Sequence, residues 1–114
     1  MTNETTAVEA STALAGRSEF AFLCTDFIES IEDMSDELMA RARVKLKNGY
    51  ELSVIRGQYS YGGEQGLFEI APFNLKGEMD GSLFDEDDQG DDVCGYCDVE
   101  KVNHYLKKLG TLGA

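Results

Sequence analysis

Cys94-Gly95-Tyr96-Cys97 is the first place in this chain to look for chemistry. A Cys-x-x-Cys at a helix N-terminus can act as a redox pair, because the helix dipole stabilises the thiolate. Asp98 suits an N-cap, so a helix begins on the correct side of the motif. The surroundings oppose that reading. The motif follows a run of carboxylates, which raise a thiol pKa. It also stands near the C-terminus, not after the first strand of a βαβ unit. A zinc site would need Cys94 and Cys97 joined by His104 and Cys24. His104 is the chain's one histidine, and Cys24 also fits an apolar face as a small hydrophobe. Ordinary packing cysteines are the expectation, with no metal ligand and no cofactor assigned.

The acid run from Asp85 to Asp92 invites a calcium reading. Asp85, Asp87, Gln89 and Asp91 match the first four alternating positions of an EF-hand loop, with Gly90 at the turn. Tyr96 then falls where a bidentate Glu is needed, and no helix precedes Asp85. A solvated, self-repelling loop is the simpler expectation, with weak divalent-ion binding as the alternative. The Gly57 to Gly66 segment lacks the Lys and the following helix of a phosphate-binding loop. His104 has no nearby nucleophile for a triad. No catalytic residue is assigned, and the expectation is a protein that is not an enzyme.

The charge points elsewhere. The chain has 114 residues, with 22 Asp and Glu against 10 Lys and Arg, for a formal net charge of -12. Two stretches concentrate the acids, and neither contains Lys or Arg. Asp26, Glu29, Glu32, Asp33, Asp36 and Glu37 form one; Glu78 to Glu100 holds the other, including Asp85, Glu86, Asp87, Asp88, Asp91 and Asp92. Such a molecule repels nucleic acid and anionic membranes and attracts basic surfaces. The strip Arg41, Arg43, Lys45 and Lys47 sits inside that negative field, so direct nucleic-acid binding is not expected. No apolar run approaches the roughly 20 residues needed to span a bilayer. Met1 to Gly16 shows no secretory-signal pattern, and the cysteine count is odd, so reduced thiols in a cytoplasm are expected.

These residues need elements to hold them. Residues 1–17 read as a flexible tail and 18–114 as a single domain. Phe20, Leu23, Cys24, Phe27, Ile28, Ile31 and Met34 recur at helical spacing, so the pattern predicts an amphipathic helix with the first acid set on its outer face. Carboxylates three and four apart there would stand roughly 5–6 Å from one another. Leu38, Ala40, Ala42, Val44 and Leu46 then alternate with Met39, Arg41, Arg43, Lys45 and Lys47, which predicts a strand with one buried face. Asn48-Gly49 marks a hairpin. A three-residue loop, Lys47 to Gly49, pairs Val44 with Leu52, Ala42 with Val54 and Lys45 with Glu51, with Gly49 left-handed; a two-residue loop would mix the faces. Leu67 to Phe73 predicts a third strand ended by Pro72. Met79, Leu83 and Phe84 suggest a short fourth. Val99, Val102, Tyr105, Leu106 and Leu109 share one face of a last helix. The fold class is α+β: a small antiparallel meander of three to four strands packed against an N-terminal and a C-terminal helix.

Asn48-Gly49-Tyr50-Glu51-Leu52-Ser53-Val54-Ile55-Arg56-Gly57, then Tyr59, Tyr61-Gly62-Gly63 and Gly66-Leu67-Phe68-Glu69, resembles small uncharacterised proteins encoded by tailed bacteriophages. In these a strand, a Tyr-Gly-Gly loop and a second strand precede an Asp-Asp-Val segment, here Asp91-Asp92-Val93, and a short C-terminal helix. The resemblance spans roughly residues 42–109. It implies a phage or prophage origin and carries no catalytic residue.

The functional expectation joins charge and resemblance. It is a small acidic protein that binds and inhibits a basic, nucleic-acid-binding host protein through its acid sets, by DNA mimicry or host takeover. Tyr59 and Tyr61 are candidate aromatic anchors. The alternatives are a small binding or structural module and a divalent-metal protein. Partner identity and oligomeric state are open.

Overall fold

The computed structural model describes residues 18–113. The tail expected over residues 1–17 lies outside the described residues. Five strands form one sheet: β1 (Ile28–Asp33), β2 (Met39–Leu46), β3 (Glu51–Gly57), β4 (Phe68–Phe73) and β5 (Cys94–Cys97). Their spatial order is their order in the chain, and each neighbouring pair is antiparallel. The helix α1 (Val99–Gly110) packs across one face. The α+β class holds. The sheet has one strand more than the upper expectation, and among the described residues α1 is the one α-helix.

The β2–β3 hairpin follows the register that the alternating pattern demands. Val44 pairs with Leu52, Ala42 with Val54 and Lys45 with Glu51. The Gly49 N–H donates to the Leu46 carbonyl at 3.0 Å, and Gly49 has φ of 99°, a conformation that favours glycine. This register sends Ala42, Val44, Leu46, Leu52 and Val54 to the core face, where all five are fully buried.

The helix expected over Phe20 to Met34 does not form. Short 3-10 turns at Ser18–Phe20 and Thr25–Phe27 lead into β1. Two facts explain the misleading spacing. Phe20 and Leu23 fill the core from a loop. Ile28 pairs with Leu46 and Ile31 with Val44, with the register shifted between Ile28 and Ser30. A β-bulge at Glu29 adds one residue, so two isoleucines three apart reach the same face. A regular strand would put them on opposite faces.

The fourth strand expected around Met79 to Phe84 reduces to a single bridge between Phe73 and Met79. Leu83 and Phe84 belong instead to a 3-10 turn, Gly81–Leu83, and its C-cap, and Phe84 enters the core. The last strand is β5, which is too short for a periodicity to show. Pro72 does not end β4: it lies within the strand opposite Leu52, Phe73 still pairs with Glu51, and the Pro72 carbonyl accepts the Asp80 N–H at 2.9 Å. The helix α1 starts as its sequence predicts: the Asp98 side chain accepts the Lys101 N–H at 2.8 Å. Val102, Tyr105, Leu106 and Leu109 are fully buried against the sheet, while Val99 is exposed. Full burial of such an aliphatic side chain contributes about 1.5–3 kcal/mol. No described helix is long and apolar enough to cross a membrane.

Candidate functional site

The first acid set lies along a sheet edge, not on a helix face. Asp26 is in the turn before β1, Glu29 is the bulged residue, and Glu32 faces Arg43 across the β1–β2 ladder. Glu29 and Glu32 are three residues apart on an extended chain, so about 10 Å of backbone separates them. The 5–6 Å helical spacing expected here does not arise, and neither does the shaped array it would have made. Two of the six carboxylates serve the backbone. Asp33 Oδ1 accepts the Ser35 N–H at 2.9 Å, and Asp36 Oδ1 accepts the N–H groups of Leu38 and Met39, each at 2.9 Å. Asp26, Glu29, Glu32 and Glu37 are exposed and take part in none of the described ion pairs.

The second set is held against α1, contrary to the expected free loop. Residues Glu86–Asp88 form a 3-10 turn that lies on the helix. Asp85 bonds Lys108 Nζ at 2.8 Å and His104 Nε2 at 2.6 Å. Asp88 bonds Lys101 Nζ at 2.7 Å and accepts the Tyr105 hydroxyl proton. The Tyr105 oxygen in turn accepts the Asp85 N–H at 3.0 Å. Lys101, His104, Tyr105 and Lys108 thus form one helical stripe that holds Asp85 and Asp88. Asp92 is also committed, accepting the Gly81 N–H at 2.9 Å, and Asp91 accepts the Asp92 N–H at 2.7 Å. Glu86 and Asp87 remain exposed, outside the described ion pairs.

The acidities follow from these contacts. The bonds from Lys108 and then His104 hold the Asp85 carboxyl below the usual carboxylate range. Burial works against the charge of Asp88, but the bonds from Lys101 and Tyr105 outweigh it and its pKa is also lowered. Lys101 rises correspondingly through its bond to Asp88. Burial, followed by the bond to Asp88, pushes the Tyr105 hydroxyl well above its usual value.

These commitments break the calcium pattern. Asp85, its first ligand, is taken by Lys108 and His104. Among the described residues no three His, Cys, Asp or Glu side chains are grouped to hold a metal ion. Asp80, Ser82, Gln89, Asp91 and Asp92 line an open cavity beside the loop. The proposed zinc ligands stay apart. His104 is bound to Asp85, and the Cys24 N–H donates to Asn103 Oδ1 at 2.8 Å. Only Cys94 and Cys97 meet, with their sulfurs 3.6 Å apart.

The basic strip lies on the sheet face away from α1. Ser30, Lys45, Glu51 and Phe73 form one row across four strands; Glu32, Arg43, Ser53 and Ala71 form the next. Arg43 bonds Glu51 at 2.9 Å and lies 3.9 Å over the Phe73 ring. Lys47 donates to the Asp26 carbonyl at 3.1 Å. This face is therefore mixed in sign.

Tyr59 and Tyr61 are 79% and 60% exposed, as anchors must be. Tyr96, at 59%, joins them and was not among the sequence candidates. It is tied to the same loop, since its N–H donates to the Tyr61 carbonyl at 3.1 Å. Its position after a glycine in a short segment gave no signal. The stripe on α1 that holds Asp85 and Asp88 did have one: Lys101, His104 and Lys108 are spaced three and four apart. Comparison of the chain with protein-family models, with curated proteins and with solved structures finds no match.

Proposed function

We propose that this protein is a non-enzymatic acidic binder that occupies a basic, nucleic-acid-binding surface of another protein, as an inhibitor of phage type. The observation that carries this reading is the division among its carboxylates. Asp85, Asp88 and Asp92 are spent inside the fold, yet Asp26, Glu29, Glu32, Glu37, Glu86 and Asp87 stand exposed outside the described ion pairs in a chain of net charge -12. Unneutralised charge steers association with cationic surfaces and weakens with salt. The reading rests on charge density, not on a helix shaped like a phosphate backbone. The test is an affinity capture from bacterial lysate at low and high salt, repeated with duplex DNA as competitor and with Glu29, Glu32 and Glu37 all changed to Gln. The expected capture is a DNA- or RNA-binding protein that salt, DNA and the triple change each release. Capture that ignores all three would sink the proposal.

A second reading, a small interaction module, draws on a different observation. Tyr59, Tyr61 and Tyr96 expose three rings on one connected loop and strand edge. Such rings serve as contact anchors at protein interfaces. Under that reading, Tyr61→Ala abolishes capture while the glutamate changes leave it intact.

A further inference from the structure

We infer that Cys94 and Cys97 form a reversible dithiol–disulfide site, closed by a small-molecule disulfide such as oxidised glutathione and reopened by thiols. Residues three apart in a regular strand point to opposite faces. Here Phe68 pairs with Cys97 and Ile70 with Cys94, so β5 carries one residue more than β4 between the two pairings. The extra residue is absorbed at Tyr96, whose φ of 56° makes it the one described non-glycine residue with positive φ. The bulge turns both sulfurs to the same side, 3.6 Å apart, and the Cys97 sulfur also lies 3.4 Å from the Cys94 carbonyl oxygen. A disulfide is about 2.05 Å long, so closure asks for an approach of about 1.5 Å.

Access sets the order of events. Cys94 is half-buried and Cys97 fully buried. The Cys94 thiolate attacks one sulfur of oxidised glutathione, forming a mixed disulfide and releasing one glutathione thiolate. The Cys97 thiol then gives its proton to solvent base. Its sulfur displaces the second glutathione from Cys94. Two protein thiols are oxidised and one glutathione disulfide is reduced to two thiols. Burial, then the neighbouring Cys94, pushes the Cys97 thiol up to about 12, so the second step is base-assisted and speeds up with pH. Closure also reaches the surface. A Cβ on Gly95 would stand 2.3 Å from Tyr61 Cβ, and the Tyr96 N–H bonds the Tyr61 carbonyl. Moving the Cys94–Cys97 turn therefore moves two exposed tyrosines.

The test treats the reduced full chain with oxidised and reduced glutathione at graded ratios, blocks free thiols with iodoacetamide and maps the peptides by mass spectrometry. The expected product is a Cys94–Cys97 disulfide, lighter by two hydrogens. Cys24 stays alkylated, closure is faster at alkaline pH, and dithiothreitol reverses it. Amide resonances of Tyr61 and Tyr96 shift on closure. Cys97→Ala stops the reaction at a glutathione adduct on Cys94, and Cys24→Ser leaves it unchanged. Three results overturn the inference: all thiols alkylated at the most oxidising ratio, Cys24 oxidised first, or a Cys94 adduct that persists in the unsubstituted chain at alkaline pH. The mapping of the unsubstituted chain decides the matter even where a variant fails to fold.

Discussion

At the scale of single residues, Tyr105 joins the core to the acid run. Its ring is fully buried and packs edge-on against Phe84 at 5.2 Å, while its hydroxyl serves both Asp85 and Asp88. Tyr105→Phe keeps the packing and removes only the hydroxyl. It leaves the Asp85 N–H without its acceptor and the half-buried Asp88 with one bond fewer. A partner removed in this way costs about 1–3 kcal/mol. Urea denaturation is expected to show a loss in that range, and hydrogen exchange to show faster exchange at Asp85. The pH dependence has a definite sign. Asp85 and Asp88 have lowered folded pKa values. Their contribution is present above the unfolded carboxylate value of 3.8 and is lost as pH falls through the lower folded value. Lys101, raised in the folded state, gives a contribution fully present below 10.5 and lost as pH rises through the higher folded value. An acid titration by NMR is therefore expected to release the Glu86–Asp88 turn below pH 3.8, with the β2–β3 hairpin unaffected by that release. Release at near-neutral pH would refute this account.

At the scale of elements, the two edge strands share one device. Each carries a bulge that puts residues three apart on the core face: Ile28 with Ile31 in β1, Cys94 with Cys97 in β5. Edge bulges and charges discourage further pairing, and β1 adds Glu29 and Glu32. The same device explains what was legible in the sequence. The β2–β3 hairpin was readable to its register because its alternation is unbroken and Asn48-Gly49 fixes the turn. The α1 cap at Asp98 was equally plain. The N-terminal segment misled because a bulged strand and two buried residues before it, Phe20 and Leu23, together imitate the helical period. The order of the acid run was hidden because repulsion within it is local, whereas the cations that overcome it lie on α1. The loop between β3 and β4 gives the next prediction. A Cβ on Gly63 would fall 1.7 Å from the Gly57 carbonyl oxygen, which only backbone movement could relieve. Gly63→Ala is expected to cost at least about 2 kcal/mol, as overpacking does. It should also shift the Tyr61 and Tyr96 amides, because Gly62 touches Tyr96. Unchanged stability by urea titration would show that the loop does not hold this shape.

At the scale of the whole molecule, the charge separates into committed and free parts, and the two parts predict opposite behaviour. Glu29, Glu32 and Glu37 are exposed and lie outside the described ion pairs. Their replacement by Gln removes three negative charges from a total of -12. Surface changes of this kind usually alter stability by no more than about 0.5 kcal/mol, and the reduced self-repulsion makes a small gain the expected sign. Asp85→Asn with Asp88→Asn removes only two charges, yet it strips partners from Lys101, His104, Lys108 and Tyr105. The exposed Asp85 pairs are individually weak, about 0–1 kcal/mol. Asp88 is more enclosed and shares the Tyr105 bond, so the double change is expected to destabilise. Thermal unfolding in low salt therefore ranks the glutamate triple variant at or above the parent chain and the aspartate pair below it. Binding to a cationic partner should rank differently. The triple variant loses affinity and salt dependence, whereas the aspartate pair loses less affinity than stability. Thermal unfolding and salt-dependent binding measured on the same three proteins check both rankings. If both variants lost stability and affinity in parallel, the division between structural and free carboxylates would be wrong.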